Sequence, residues 1–336
     1  MNRLTLSLCI FLMVLFSVTV SAQKKKAASK IPVAVMINFP GGNDVKNMAA
    51  DSRNVYVSLK WCKFLAVIDK ATGAVSKIDS PKEITSVAVA NGKCYYHMVS
   101  KGIFSYDPVT KKSAGPLFGI ESPDDSMYSP DMSVSPDGHY LLCDRYVIDL
   151  IAGAVVGKVF EGSSVKVVNN LGCVYVGNPE ARYFPLGADG YLLTDKVVVH
   201  NIFADPVTGN AYFACEQGVG WTPEVPVADA GLKRIKELQE YQVDCVGRDD
   251  KDRFVFGLRN GMAIGGVTPE APLKVYTPLK TGIIQYGMDL KLDHVDRVGR
   301  DGQGNILAAS MNILVIFNPE GVKGYSTIRG KAIQID

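Results

Sequence analysis

Four histidines carry the most versatile chemistry in the chain: His97, His139, His200 and His294. A neutral imidazole can ligate a metal ion or pass a proton near pH 7. His200 and His294 lie where the first strand of a repeated β unit would begin, whereas His139 falls in a turn. We therefore expect His200 and His294 to line a channel mouth and contact a ligand, and hydrogen-bonded structural histidines are the alternative.

A second candidate site is acidic. Asp249, Asp250 and Asp252 fall within four consecutive positions of one turn. Closely spaced carboxylates offer the hard oxygen ligands that Ca²⁺ and other divalent ions prefer, although the twelve-residue loop of an EF-hand is absent. These three residues are the candidate metal ligands, a solvated Asp-rich turn is the alternative, and no other cofactor is predicted.

Trp221 is the candidate interface aromatic. It stands in Gly218–Pro226, a Pro-containing segment that is longer than a tight hairpin requires. Loops at one end of a β scaffold often build binding surfaces, and a Trp there can anchor a partner. Packing of a long loop onto its own β unit is the alternative.

Familiar catalytic signatures are missing from the sequence. The chain contains no Gly-x-Ser-x-Gly, no Gly-x-x-x-x-Gly-Lys-Ser/Thr, no His-Glu-x-x-His and no Gly-x-Gly-x-x-Gly. Hydrophobic residues make up 47% and charged residues 21%, which indicates a folded chain. Its net charge of +2 provides no field for general nucleic-acid binding.

The first 22 residues predict a secretory signal peptide. Arg3 precedes an apolar run, Leu4 to Val20, and the run ends in the small residues Ser21 and Ala22. A membrane anchor is the alternative, because the run is just long enough to span a bilayer. The small-residue exit and the basic leader at 23–30 favour cleavage, so we expect export to the periplasm, the outer cell surface or the medium. The mature chain has no further span.

Six cysteines follow the leader, and they are expected to be buried thiols. They are separated by 30 residues or more, form no Cys-x-x-Cys pair, and mostly lie in apolar strand-like runs. Free cysteine behaves there as a small hydrophobe, with disulfides as the alternative for an exported protein.

Internal repeats predict the architecture that would position these residues. The first recurring unit is a turn followed by a short strand, usually with an aromatic residue. Its copies are Asp51–Tyr56, Asn91–Tyr95, Pro136–Tyr140, Asn170–Tyr175, Thr208–Tyr212, Asp250–Phe254 and Asp301–Leu307. Further Gly or Asn turns and Asp/Asn turns follow, which makes a four-stranded meander of roughly 35–50 residues, the size of one propeller blade.

The sequence therefore predicts an all-β fold, a β-propeller of seven blades with four antiparallel strands each, over residues 31–336. Dividing residues 23–336 by seven gives about 45 residues per unit, within the range of propeller repeats. Ile31–Phe39 is strand-like and precedes the first unit. We expect it to add a strand to the last blade and close the ring. Asp229–Tyr241 favours either one short helix or an outer strand.

Particular blade motifs resemble known propeller families. Ala66–Gly73 (Ala-Val-Ile-Asp-Lys-Ala-Thr-Gly) and Asp205–Tyr212 resemble YVTN/YncE-type repeats. Asp301–Ala309 together with Phe317–Pro319 resembles the repeats of NHL and two-component-regulator propellers. This resemblance implies a propeller fold and says little about chemistry.

Two functions follow as expectations. The first is an exported, non-catalytic binding or scaffold protein whose protein, peptide or glycan ligand binds on the loop face or at the central channel. The second is an exported metal-dependent hydrolase or lactonase with its site in that channel. The missing catalytic motifs favour the first, although propeller active sites are assembled from several blades and leave weak sequence traces.

Overall fold

A computed structural model describes residues 33–39, 43–120, 132–159, 165–177, 180–194, 197–285, 288–329 and 331–335. The predicted signal peptide and the basic leader lie outside these residues. Among the described residues, no helix has the length and apolar character needed to cross a bilayer.

The described chain forms a seven-bladed β-propeller, as the repeats predicted. The first strand of every blade is its innermost strand, and these strands contact one another in sequence order around the ring until the last meets the first. Blade 1 comprises β2 Val45–Ala50, β3 Asn54–Leu59, β4 Phe64–Asp69 and β5 Val75–Asp79. Blade 2 comprises β6 Ile84–Ala90, β7 Lys93–Met98, β8 Gly102–Asp107 and β9 Lys112–Leu117. Blade 3 comprises β10 Met132–Val134, β11 Tyr140–Cys143, β12 Tyr146–Asp149 and β13 Ala154–Lys158.

The remaining blades follow the same order. Blade 4 comprises β14 Val165–Val168, β15 Val174–Gly177, β16 Ala181–Phe184 and β17 Tyr191–Thr194. Blade 5 comprises β18 Val199–Ala204, β19 Ala211–Cys215, β20 Gly218–Thr222 and β21 Lys233–Arg234. Blade 6 comprises β22 Val243–Arg248, β23 Phe254–Leu258, β24 Gly261–Ile264 and β25 Lys274–Tyr276. A hairpin of β26 Leu279–Gln285 and β27 Met288–Leu292 is inserted before blade 7.

Blade 7 joins the two ends of the chain, which confirms the predicted closure. Its sheet order is β28 Arg297–Arg300, β29 Ile306–Ser310, β30 Ile313–Phe317, β1 Val33–Asn38 and β31 Lys331–Gln334. Strand β1 pairs antiparallel with β30, and Ile37 and Phe39 are buried against blades 7 and 1. Strand β31 adds a fifth, parallel strand outside β1. The sequence did not predict this extra strand.

The hydrophobic core is divided among the seven interfaces between neighbouring blades. Each interface holds one cluster of buried side chains. Successive side chains of a strand point to opposite faces, so Tyr95 packs towards blade 3 while Tyr96 packs towards blade 1. The six cysteines among the described residues are all buried and free, as predicted.

Tight turns after the inner strands fix the register of the blades. In blades 1, 5, 6 and 7, an aspartate at the end of the inner strand accepts hydrogen bonds from backbone N–H groups of the turn that follows. In blade 2, Asn91 and Gly92 take this turn with φ values of 51° and 72°, the left-handed region that Asn and Gly tolerate best. These turns lie where the inner strands end. The opposite face of the ring, where all inner strands begin, is called the mouth.

The segment Asp229–Tyr241 contains both of the elements that its sequence allowed. Strand β21 covers Lys233–Arg234, and a single 3₁₀ turn covers Lys236–Leu238. Leu238 is fully buried and joins the cluster between blades 5 and 6.

Candidate functional site at the channel mouth

One backbone irregularity recurs at the mouth. In blades 1, 2, 5 and 6 the inner strand bulges at its second residue, so that two residues of this strand oppose one residue of the next. The bulged residues are Lys46, Thr85, His200 and Asp244. β-Bulges re-aim side chains and occur often beside functional sites. Asp296 holds the equivalent place in blade 7, directly before β28.

His200, Asp244 and His294 form a polar cluster contributed by blades 5, 6 and 7. His294 Nε2 lies 2.9 Å from Asp244 Oδ2, within ion-pair distance, and both atoms are buried. Gln242 Nε2 lies 3.3 Å from Asp244 Oδ1 and 3.5 Å from His200 Nε2. The two histidines singled out from the sequence are thus linked through Gln242 and Asp244.

Asp296 adds a second buried carboxylate. Its Oδ1 atom has no hydrogen-bond partner within the described part of the chain. Burial raises the pKa of Asp296, and the neighbouring Arg297 and His294 offset this only in part. A buried polar atom without a partner is costly, so the mouth contains groups that a ligand could satisfy.

Below this cluster the channel contains a cavity of about 230 Å³. Three basic side chains line it, Lys46, Lys166 and Arg297, from blades 1, 4 and 7, together with His200 and several amides and apolar residues. No carboxylate belongs to the described lining residues. The described lining of this cavity therefore presents three basic side chains, with the Asp144 carboxylate 3.9 Å from Lys166 and Asp296 beside Arg297.

Polar side chains join the inner strands of neighbouring blades along this wall. Ser133 Oγ accepts a hydrogen bond from the backbone N–H of Val168 at 3.2 Å, which links blade 3 to blade 4. Arg297 Nε donates to the backbone oxygen of Lys46 at 3.1 Å, which links blade 7 to blade 1. These bonds satisfy edge groups of the inner strands and hold the channel wall in place.

His97 lies behind the mouth and is nearly inaccessible to solvent. Its Nδ1 atom is 2.7 Å from the hydroxyl of Thr85, the bulged residue of blade 2. Burial lowers the pKa of His97 to about 4, against the opposing influence of Asp144. The neutral ring therefore supports Thr85 and does not face the channel. His139, in contrast, lies 3.2 Å from Asp149 in a turn at the opposite face.

Trp221 lies inside strand β20 and not in a loop. The centroid of its ring lies 6.3 Å from that of Tyr212. Lys233, on the neighbouring strand β21, places its Nζ atom 4.6 Å from the centroid of the Trp221 ring. The long connection begins after this strand, and it packs on blade 4, where Tyr175 and Tyr191 donate hydrogen bonds to its backbone oxygens. The sequence suggested either a loop residue that anchors a partner or a loop packed onto its own blade. In the structure Trp221 is a strand residue, and the loop that follows it covers the neighbouring blade.

The three clustered aspartates of blade 6 each have a different local role. Asp249 accepts hydrogen bonds from its own turn and pairs with Arg253 at 2.7 Å. Asp250 accepts a hydrogen bond from the Gly304 backbone at 2.6 Å, and the Asp252 carboxylate lies 3.6 Å from Arg300. Among the described residues, no group of three or more His, Cys, Asp or Glu side chains is placed to hold a metal ion.

An exposed aromatic residue stands on the mouth side of blade 1. Trp61 is 54% exposed, and its φ of 62° is unusual for a bulky residue. Its backbone N–H donates to Glu83 Oε1 at 2.8 Å, and Lys60 Nζ lies 4.3 Å from its ring centroid. The Trp61 ring is therefore held at the surface in a position from which it could contact a ligand.

A larger cavity of about 610 Å³ lies elsewhere, between blades 3 and 4. Its wall is mostly glycine and apolar side chains, with Lys158 and Asp189 as the ionisable residues. Specific binding sites combine apolar surface with several converging polar groups, and this cavity has few of them. The smaller channel cavity is the better candidate because its chemistry is richer.

Most residues of the mouth were not predicted from the sequence. Lys46, Thr85, Asp244 and Asp296 belong to three different residue types. They do share a position in the repeat. Thr85 lies five residues before Ala90, the last residue of its inner strand, and each of the others, like His200, lies five residues before the aspartate that ends its inner strand or begins the following turn. This constant offset is the sequence signal that could have found them. In blades 3 and 4 the equivalent positions are 130 and 164, which lie outside the described residues.

Comparison with known proteins gives structural neighbours only. No family model matches the chain, and no curated protein matches it. Two structures of the extracellular domain of BT4673 from B. thetaiotaomicron are similar. One, described as a putative one-component system, has a TM-score of 0.61 at 13% identity and covers 85% of this chain and 40% of that chain. The other, described as a putative hybrid two-component system, has a TM-score of 0.57 at 12% identity and covers 84% and 39%.

The WD40 β-propeller domain of Doa1 is similar over nearly its whole length. Its TM-score is 0.61 at 13% identity, and the match covers 86% of this chain and 96% of that chain. By contrast, this chain spans about two fifths of the BT4673 structures. These likenesses support the propeller fold, which is shared by proteins of many functions.

Proposed function

We propose that this protein is an exported binding propeller, without catalytic activity of its own, which takes a protein, peptide or glycan ligand at the channel mouth. One observation carries the proposal. Polar side chains from several blades converge on the mouth, where the Asp244–His294 pair lies beside Asp296, whose buried Oδ1 atom has no hydrogen-bond partner among the described residues. A ligand that donated a hydrogen bond to Asp296 would recover the cost of burying this atom.

The exposed Trp61 ring extends this surface beyond the channel. Aromatic faces stack on sugar rings and on peptide side chains, and Trp is enriched among residues that dominate binding energy. A propeller presents such a surface on a rigid ring, because the blades are fixed by their interfaces and the loops carry the variation. The mouth of this protein has these properties.

Export is part of the proposal. The apolar segment of residues 1–22 and its small-residue exit support cleavage before Gln23. The extracellular location given for the BT4673 domain agrees with this assignment. The blade motifs at Ala66–Gly73 and Asp301–Ala309 support a relation to YVTN/YncE or NHL propellers. Intact mass of the exported protein should correspond to a chain beginning at Gln23, and retention of Met1 would contradict it.

A ligand screen on the mature chain tests the binding role. Glycans, peptides and metabolites are screened by thermal shift, because a ligand that binds only the folded state raises its melting temperature. We expect the response to a true ligand to be lost in His200→Gln and Asp244→Asn, and to be kept in His139→Gln, the matched histidine control at the opposite face. A ligand that raises the melting temperature of all three variants as much as that of the wild type would place the site elsewhere. Metal-dependent turnover of a lactone or ester would favour the hydrolase alternative instead.

A further inference from the structure

We infer that the channel cavity binds an oxyanion, a carboxylate, sulfate or phosphate group of the ligand, between Lys46, Lys166 and Arg297. This inference rests on the proposed function and specifies the chemistry of its ligand. The three basic residues come from blades 1, 4 and 7, so the fold brings them to one cavity from distant parts of the sequence.

Arg297 is held in place at the cavity by two hydrogen bonds to backbone oxygens. It donates from Nε to the backbone oxygen of Lys46 at 3.1 Å and from NH1 to the backbone oxygen of Asp296 at 2.7 Å. Both acceptors are neutral carbonyls, so these bonds orient the guanidinium, and the Asp296 carboxylate is its negatively charged neighbour. A guanidinium has five N–H donors in a planar fork that matches an oxyanion, and two of them are used by these bonds.

Lys166 is a cation held inside the protein. Only 5% of its side chain is exposed, and its Nζ lies 3.9 Å from Asp144 Oδ1, at the limit of an ion pair. Asp144 also pairs with Arg145 at 2.9 Å, so one carboxylate serves two cations. A cation at this depth lies within reach of the cavity, where a bound anion would add to the contacts that Lys166 already makes.

Lys46 completes the basic wall at the mouth. It is the bulged residue of β2, it is half-buried, and its positive charge favours the ionised form of Glu83. The like charges of Lys46, Lys166 and Arg297 repel one another across the cavity, and the repulsion is strongest where water is excluded. An oxyanion bound among these three cations would attract each of them and so offset their mutual repulsion.

The size of the cavity limits what enters it. Its 230 Å³ is below the range of ~300–1,000 Å³ typical of pockets that enclose drug-sized ligands. The space therefore suits one compact acidic group, with the rest of a larger ligand emerging at the mouth beside His200 and Trp61. The basic end lies in the channel, and the aromatic and hydrogen-bonding surface lies outside it.

The test uses small anions as probes on the mature chain. Sulfate, phosphate, succinate and citrate are titrated by thermal shift and calorimetry, with ionic strength held constant by sodium chloride. Succinamide is the uncharged counterpart of succinate. We expect saturable stabilisation by at least one anion class and none by succinamide, and the comparison of sulfate, phosphate and carboxylates identifies the preferred group.

Charge variants separate specific binding from general salt effects, because sulfate and phosphate also stabilise folded proteins by exclusion from their surface. Lys46→Gln should lower the affinity for the preferred anion about tenfold or more, the factor expected for losing one charge-assisted hydrogen bond. Arg297→Gln should do the same, while Lys93→Gln, which removes an exposed lysine at the opposite end of blade 2, should leave binding unchanged. Lys46 is half-exposed, so its variant remains informative even if the replacement of buried Lys166 prevents folding.

Two outcomes overturn the inference. One is equal stabilisation of the wild type, Lys46→Gln and Lys93→Gln by every anion, which would indicate a general salt effect. The other is a ligand from the screen that needs His200 and Asp244 but is uncharged and insensitive to Lys46→Gln. In that second case the binding role at the mouth stands and the oxyanion chemistry fails, so the two proposals are tested separately.

Discussion

Acidification should destabilise this protein through one buried histidine. His97 has a folded-state pKa of about 4, lowered by burial from the ordinary value of 6.5. Between these values the unfolded chain binds a proton at His97 and the folded chain does not. The free energy of unfolding must therefore fall as the pH falls from 6.5 towards 4, and it stops falling below 4.

The magnitude follows from the same two values. They differ by about 2.5 pH units, and each unit corresponds to about 1.4 kcal/mol, so the full loss attributable to His97 is about 3 kcal/mol. Roughly 2 kcal/mol of this should already be lost at pH 5. Asp296 and Glu83 oppose the trend, because burial raises the pKa of both carboxyl groups and lets the folded state bind protons first.

A variant isolates the contribution of His97 from these other groups. Urea unfolding of the wild type and His97→Gln is followed by circular dichroism at pH 7, 6, 5 and 4.5. Glutamine retains a hydrogen-bonding group for Thr85 but does not titrate, so the gap in stability between the two proteins should shrink as the pH falls. His139→Gln removes a histidine whose side chain is 32% exposed and should keep the wild-type slope. An unchanged slope in His97→Gln would refute the assignment.

Three further predictions concern the scaffold. Deleting residues 23–40 should cause a large loss of stability or aggregation, because β1 supplies backbone hydrogen bonds worth about 1 kcal/mol each and the buried Ile37 and Phe39; a truncated chain that melts like the mature protein would contradict ring closure through β1. Asp205→Asn should cost about 3–5 kcal/mol in chemical unfolding, because Arg248 pairs with both oxygens of Asp205 at 2.6 and 2.7 Å where both side chains are buried; a cost below 1 kcal/mol would show that water compensates the pair. Reducing agent should leave the melting temperature within a few degrees, because loss of a native disulfide typically costs about 2–5 kcal/mol and the six cysteines of the described residues are free; a larger fall would reveal a disulfide.

The Asp205 pair also carries a pH dependence of its own. Burial alone would raise the pKa of Asp205, but the hydrogen bonds from Arg248 and Thr208 overcome burial and hold this pKa below its usual range. The stability from this pair is therefore present at neutral pH and is lost as the pH falls through the lowered pKa. It acts at a lower pH than His97, so the two effects can be resolved in one titration.

The fold could be predicted because its signals are local. A turn such as Asn91-Gly92 requires positive φ, and the strand after it shows its aromatic residue directly in the sequence. Seven repetitions of this pattern and one unpaired apolar segment, Ile31–Phe39, were enough to specify the ring and its closure. The extra strand β31 could not be predicted, because Lys331–Gln334 is short and partly polar and pairs with β1, a strand from the other end of the chain.

The site could be predicted only in part, for a different physical reason. His200 and His294 stood out because histidine is rare and chemically versatile. Lys46, Lys166 and Arg297 did not, because charged residues are common on strand surfaces and their meeting depends on ring closure. Trp221 drew attention as a loop aromatic, yet the chain at that point continues as β20 and buries much of the ring beside Tyr212.

Scaffold and site are therefore specified by different parts of the same inner strands. Residues in the middle of each strand pack into the interfaces on both sides, and their apolar character is fixed by that packing. The second residue escapes this constraint, because a bulge removes it from the ladder of paired residues. This explains how Lys46, Thr85, His200 and Asp244 can differ so widely at one structural position. It also implies that replacing Lys46 or His200, which are half-buried, should change ligand preference more readily than it changes the fold.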